Sequence, residues 1–291
     1  MASTPLISVA ELAESVADPN LVIVDTRWYL GRPGAGHEAY LAGHIPGAIH
    51  LDLDDDLADL DDPAAFGAPG RHPLPEPRTW TAAMGTRGIG NDSRVVGYDD
   101  VGGWVAARLW WMLDNLGFER VAVLDGGIGA WTAAGLPMAT GEEAPRAPRP
   151  LALRNAWTGI IEREDLRRRL GSLVLLDARA APRYRGEVEP IDPVAGHIPT
   201  AISAPIDGNL GPDGRLLDAE ALRARYEALG LNGSGDVVTS CGSGTSATHH
   251  SLAMRLAGLP DPILYVGSYS DWSRSGLPVA VGPEPGEPPP Q

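Results

Sequence analysis

The chain carries a single cysteine, Cys241, and its neighbours are the residues most suited to chemistry. Cys241-Gly-Ser-Gly-Thr-Ser246 follows the apolar run Val237-Val-Thr-Ser240 and precedes a helical pattern that starts near Ala247. Glycines let successive backbone N–H groups converge on one point. A helix N-terminus adds positive potential there, and Ser243, Thr245 and Ser246 add hydroxyls. Such a setting favours the thiolate, the nucleophilic form of cysteine. A lone cysteine is otherwise an inert buried residue; a tight Gly-rich loop at a strand–helix junction argues for chemistry instead. Acyl transfer would need a base, but His249 and His250 lie eight and nine residues along, more than two helical turns away, and read better as helix-surface or interface histidines. A phosphatase loop needs an arginine six positions after the cysteine to clamp phosphate, and that position is Ala247.

Composition narrows the remaining possibilities. One cysteine forms no intramolecular disulfide and supports neither a Cys-based zinc knuckle nor an iron–sulfur cluster. A net charge of −15 argues against nucleic acid and against an anionic membrane. All 23 basic residues are arginine, so no lysine is available for Schiff-base chemistry. The N-terminal residues lack the basic and apolar regions of a signal peptide, and no window approaches ~18 uninterrupted apolar residues. These features predict a cytoplasmic protein without a membrane span.

The elements that position the loop recur in the chain. Leu21-Val-Ile-Val-Asp-Thr-Arg27 returns as Leu173-Val-Leu-Leu-Asp-Ala-Arg179. Leu41-Ala-Gly-His-Ile-Pro-Gly-Ala-Ile49 returns as Val194-Ala-Gly-His-Ile-Pro-Thr-Ala-Ile202, identical at seven of nine positions. Asp125–Trp131 is echoed by Val266–Trp272, and Gly135-Leu-Pro137 by Gly276-Leu-Pro278. The offsets run 152, 153, 141 and 141, so the first copy holds about eleven extra residues between its His-Ile-Pro motif and its third strand. The repeat predicts a domain over 1–139, a Pro-rich linker over 140–150, a second domain over 151–282 and a disordered tail over 283–291. Predicted strands cover Leu21–Asp25, Val95–Tyr98 and Val121–Leu124, then Leu173–Asp177, Asp236–Ser240 and Pro262–Val266. Helical patterns cover Val105–Leu116, Ala219–Leu229 and Ala247–Gly258. Apolar strands alternating with helices predict two α/β domains, each an open, mostly parallel sheet with helices on both faces. Sites in such sheets lie beyond the carboxyl ends of strands, where Cys241 stands. Aligning the copies puts Asp99 at the position of Cys241. His44 and His197, and the pairs Asp25 with Arg27 and Asp177 with Arg179, recur in both copies and read as structural. The acidic run Asp52, Asp54, Asp55, Asp56 reads as a solvated loop, Asp54 apart.

The Asp-x-Arg strand ends, the paired Gly-His-Ile-Pro motifs, Arg183-Tyr-Arg-Gly-Glu187, the Cys241 loop and Gly267-Ser-Tyr-Ser-Asp-Trp272 together resemble the tandem-domain rhodanese sulfurtransferases, over about residues 6 to 281. The resemblance implies two rhodanese-like domains, the first catalytically inactive. It implies ping-pong transfer of sulfane sulfur through a persulfide on Cys241 to a thiol or cyanide, with no metal or organic cofactor and with a thioredoxin-like reductant as a further partner. The Cys-Gly-Ser-Gly start is similar to 3-mercaptopyruvate sulfurtransferases. By position this implies a relay of Ser243, His72 and Asp54, with Arg183 holding the donor carboxylate and Gly242, Gly244, Thr245 and Ser246 cradling the reacting sulfur. One feature departs from that pattern: Asp192 stands where a second substrate arginine is expected, nine residues after Arg183. Arg185 is a candidate replacement, or else an ion-pair partner of Glu187 or Glu189. Thiosulfate as donor, and a persulfide carrier without turnover, stay open as alternatives.

Overall fold

The apolar runs become the strands of two sheets. The first half gives β1 (Leu6–Ile7), β2 (Leu21–Asp25), β3 (Ile49–His50), β4 (Arg94–Tyr98) and β5 (Val121–Leu124); the second gives β6 (Ile160–Ile161), β7 (Val174–Asp177), β8 (Ala201–Ser203), β9 (Val237–Ser240) and β10 (Ile263–Tyr265). The computed structural model describes residues 4–62, 64–231, 233 and 235–289. Every strand pairing in it is parallel, in the orders β1-β5-β4-β2-β3 and β6-β10-β9-β7-β8. All five residues of β2 are buried, which requires cover on both faces, as a parallel sheet does. β1, β3, β6 and β8 are two or three residues long, too short to show a period in sequence.

The two sheets belong to two units. The first comprises residues 1–58, 75–158 and 212–216; the second comprises 59–74, 159–211 and 217–291. The segment 59–74 therefore packs with the second unit, although the repeat assigns it to the first copy. It falls in the stretch where the first copy is longer. Residues 140–150, predicted as a linker, lie along the first unit: Arg146 Nη2 donates to the Leu21 carbonyl at 2.9 Å and the Arg149 N–H to the Gly85 carbonyl at 2.9 Å. In the tail, the Glu284 carbonyl meets His197 Nε2 at 3.1 Å and the Pro285 carbonyl accepts from the Thr200 N–H at 2.6 Å. Residues 290 and 291 of that tail, and residues 1–3 of the first domain, lie outside the described residues.

The repeated motifs are matched structural devices. Arg27 forks onto Asp25 and reaches the Gly43 carbonyl at 2.7 Å; Arg179 forks onto Asp177 and reaches the Gly196 carbonyl at 2.7 Å. His44 stacks on Tyr40 with ring centroids 4.0 Å apart, and His197 on Tyr184 at 3.7 Å. Trp131 and Trp272 fill the two cores, and each indole N–H donates six residues on, to the carbonyls of Pro137 and Pro278 at 2.8 and 2.9 Å. The Gly-Leu-Pro repeat is thus the partner of the Trp repeat.

Candidate active site

β9 carries Val237, Val238, Thr239 and Ser240 into the centre of the second sheet, between β7 and β10. Its end is fixed by register: Asp177 lies opposite Ser240, as Asp25 lies opposite Tyr98. The next residues, Cys241 and Asp99, therefore hold equivalent places. The Cys241 carbonyl accepts from Tyr269 N–H at 3.0 Å, as the Asp99 carbonyl accepts from Ile128 N–H at 3.1 Å.

Cys241 is buried. Its N–H donates to Ser268 Oγ at 3.0 Å, and its sulfur accepts from the Ser243 N–H at 3.4 Å. Ser268 holds φ at 51°, a left-handed conformation unusual for a residue with a Cβ. That twist lets its hydroxyl take the Cys241 amide while donating to the Tyr265 carbonyl at 2.8 Å. Gly244 has φ at 78°, and a Cβ there would collide with the Val266 carbonyl. The third loop position after Cys241 is therefore reserved for glycine. The helix Thr248–Leu256 follows, and the chain turns at Gly258 with φ at 66°.

His72, from segment 59–74, brings Nδ1 within 2.6 Å of Ser243 Oγ and within 3.4 Å of Thr245 Oγ1. All three side chains are buried. Two members of the predicted relay are therefore in hydrogen-bond contact. Asp54 lies in the first unit, where it accepts from Trp28 Nε1 at 2.9 Å. Ser246 sits at the turn into the helix, its carbonyl accepting from His249 N–H at 3.1 Å. His249 and His250 are buried and not on the helix surface as the sequence suggests: His249 Nδ1 meets Asn209 at 3.1 Å, and His250 lies between Tyr226 Oη and the Ala204 carbonyl, 2.8 Å from each. Burial pushes His250 down to about 3.

The arginines resolve differently from expectation. Arg183 is at the loop: a Cβ on Gly242 would stand 3.4 Å from its Nη1. Its guanidinium is held by Glu189 at 2.7 Å and by Asp192 at 3.2 Å. Burial pushes Glu189 up, but the hydrogen bond from Arg183 and the backbone N–H groups of residues 191 and 192 bring it below its ordinary value. Arg185 forks onto Glu187 at 2.7 and 2.8 Å, the ion pair that was its alternative reading. Sequence reasoning missed Arg71. It pairs with Asp192, and the same Cβ on Gly242 would stand 2.7 Å from its Nη2. Burial lowers the Arg71 pKa, with Asp192 and Cys241 pulling it back up. The available signal was a basic residue next to His72. Ser270, also missed, accepts the Arg71 N–H at 3.0 Å.

A buried thiol in a Gly-rich loop, faced by a histidine–serine pair and by guanidiniums, is a site for nucleophilic sulfur chemistry on an anion. A model of the rhodanese-like domain matches residues 8–134 and again 162–275. The chain belongs to the rhodanese family, with two copies of the domain. It is 45% identical over 288 residues to a Pseudomonas aeruginosa protein named a probable 3-mercaptopyruvate sulfurtransferase, covering 97% of this chain and 100% of that one. It is 32% identical to the thiosulfate sulfurtransferase of Bos taurus, covering 92% of this chain and 91% of that one. Among solved structures, SseA of Escherichia coli, described as a 3-mercaptopyruvate sulfotransferase, superimposes with a TM-score of 0.77 at 30% identity, covering 92% of this chain and 100% of that one. With such relatives along nearly its whole length, the chain is an enzyme of the sulfurtransferase class. No helix among the described residues is long and apolar enough to cross a membrane.

Proposed function

We propose that this enzyme takes sulfur from 3-mercaptopyruvate onto Cys241 and passes it to a thiol or to cyanide. The observation that carries the donor choice is the 2.6 Å contact between His72 Nδ1 and Ser243 Oγ beside the thiol. The Cys241 thiolate attacks the donor sulfur. An S–S bond forms, the C–S bond breaks, and its electron pair passes to carbon as the enolate of pyruvate. That carbon then needs a proton, and the Ser243 hydroxyl, coupled to His72, is the group placed to supply it. Asp54 is the relay's acid by its position in the family pattern, the member that in such triads orients the imidazole. An acceptor thiolate next attacks the outer sulfur and releases Cys241 as thiolate, so the cycle balances without a redox cofactor. Gly242, Gly244, Thr245 and Ser246 shape the cradle of the anionic outer sulfur, and Arg183 receives the donor carboxylate.

The first unit supports the persulfide reading from another direction. At the equivalent position, the Asp99 carboxylate accepts four backbone N–H groups, from Val101, Gly103, Val105 and Ala106 at 2.8–3.1 Å. Carboxylate oxygens stand two bonds from Cβ, as the outer sulfur of a cysteine persulfide does. This loop type can hold an anion at that distance. With its cradle filled by its own side chain, the first domain is catalytically inactive. On this reading the enzyme works in the cytoplasm, where a lone thiol stays reduced and thiol acceptors, a thioredoxin-like reductant among them, are at hand.

The test is intact-mass measurement after incubation with 3-mercaptopyruvate or thiosulfate. A gain of about 32 Da, one sulfur on the ladder of cysteine modifications, is expected on the wild type and absent from Cys241→Ser. Ser243→Ala should lower kcat/KM for mercaptopyruvate by about 10²-fold or more, the range of general acid–base assistance, and leave thiosulfate turnover nearly unchanged. Equal loss with both donors overturns the relay.

A further inference from the structure

We infer that Arg71 is the second arginine of the donor-anion site, aimed by Asp192, the residue standing where that arginine is missing from the sequence. The inference deepens the proposed function and rests on it for the identity of the anion, the carboxylate of a 2-oxo acid. Four observations carry it. The guanidiniums of Arg71 and Arg183 are the nearest neighbours of the space beside Gly242, the residue after the nucleophile. A side chain at 242 would occupy the place those groups face, so glycine keeps it open. Asp192 is buried and takes three guanidiniums: Arg71, Arg183 at 3.2 Å and Arg274 at 3.4 Å. Its carboxylate is therefore fully engaged as an anchor. Arg71 Nε, finally, is shut off from water and has no hydrogen-bond partner among the described residues, a state buried donors rarely adopt without a ligand or water.

Charge balance agrees. Arg71, Arg179, Arg183 and Arg274 face Asp177, Glu189 and Asp192, four cations against three anions. The fourth positive charge is unmatched by these carboxylates and faces the Cys241 thiolate and the incoming donor anion. A planar guanidinium fork suits a carboxylate. The arginine reaches the site from segment 59–74 instead of from the strand-end helix that carries Arg183, and its backbone is fixed by the Ser270 hydroxyl at 3.0 Å. A substitution at 192 that looks like the loss of one clamp is thus the means of holding another.

The lone cysteine gives a clean assay, because every alkylation is read at Cys241. The rates of modification by iodoacetate, an anion, and by neutral iodoacetamide are compared on the full-length enzyme by mass spectrometry, with and without pyruvate as competing 2-oxo acid. Arg71→Gln should lower the iodoacetate-to-iodoacetamide rate ratio by about 10-fold or more, the scale of a charge-assisted bidentate contact. It should also abolish protection by pyruvate and raise KM for mercaptopyruvate more than it lowers kcat. Arg71→Lys should recover part of the rate ratio, because it restores charge without the fork, and Asp192→Asn should lower the ratio less than Arg71→Gln. Thermal melts of the variants separate a folding defect from a site defect, and the Lys variant keeps the test open if Gln fails to fold. An unchanged ratio in Arg71→Gln overturns the inference. Failure of the donor reading looks different: pyruvate would not protect the wild type and mercaptopyruvate would not turn over, while the iodoacetate preference and its dependence on Arg71 would persist.

Discussion

The loops that follow β4 and β9 are built on the same strand register and end in opposite states. In the first unit the Asp99 side chain fills its own cradle with four backbone N–H bonds. In the second unit the Cys241 sulfur accepts from the Ser243 N–H at 3.4 Å and has no side-chain carboxylate to fill the loop. The first loop closes on a side chain of its own, and the second carries a thiol at the same position. A further pair makes the same point. Gly127 in the first unit and Ser268 in the second stand at equivalent places with φ near 56° and 51°. The first unit uses the residue that adopts this conformation without strain. The second keeps a strained serine, whose hydroxyl holds the Cys241 amide.

The largest effect that could break this contrast is on stability. Asp99→Ala would leave four buried N–H groups without an acceptor and should cost about 3 kcal/mol or more. Cys241→Ala should cost only about 1 kcal/mol. Urea unfolding of both variants measures the difference, and similar losses would end the distinction between a filled and a waiting cradle. Next, Gly127→Ala should destabilise by about 2 kcal/mol, from the left-handed backbone and a collision with the Asp99 carbonyl. Ser268→Gly should hardly shift Tm and should slow persulfide formation on Cys241. If Ser268→Gly stabilises and leaves that rate alone, the strain there serves no chemistry.

At neutral pH the smallest effect is one that only a pH series brings out. His250 is buried and neutral in the second unit, held down to about 3 from an ordinary 6.5. The unfolded chain binds its proton first as pH falls. The stability associated with neutral His250 is therefore present above about 6.5 and is lost progressively toward about 3, at about 1.4 kcal/mol per pH unit. His250→Gln should flatten the dependence of urea midpoint on pH between 6.5 and about 4. A slope equal to that of the wild type would assign the acid lability to other groups.

Sequence pattern located the two sheets, because Val/Ile/Leu runs of four or five residues are long enough to be recognised and the repeat supplied a second copy of each. It singled out Cys241 through its local motif, and the family resemblance carried Ser243, His72 and Arg183 over by position. It did not find Arg71 or the role of Asp192. Their relation spans 121 residues, and no local spacing records that a carboxylate in one loop will aim a guanidinium in another. Arg185 takes a partner that local spacing does offer: Glu187, two residues away, holds its guanidinium.

Segment 59–74 gives the duplication a direction. Arg71 and His72 are encoded within the first copy and fold with the second. Cutting the chain at 140–150 would therefore separate Arg71 and His72 from Cys241, with which they share a unit. A segment of the first copy is thus part of the second folded unit, and the boundary between the repeats in sequence is not the boundary between the folded bodies.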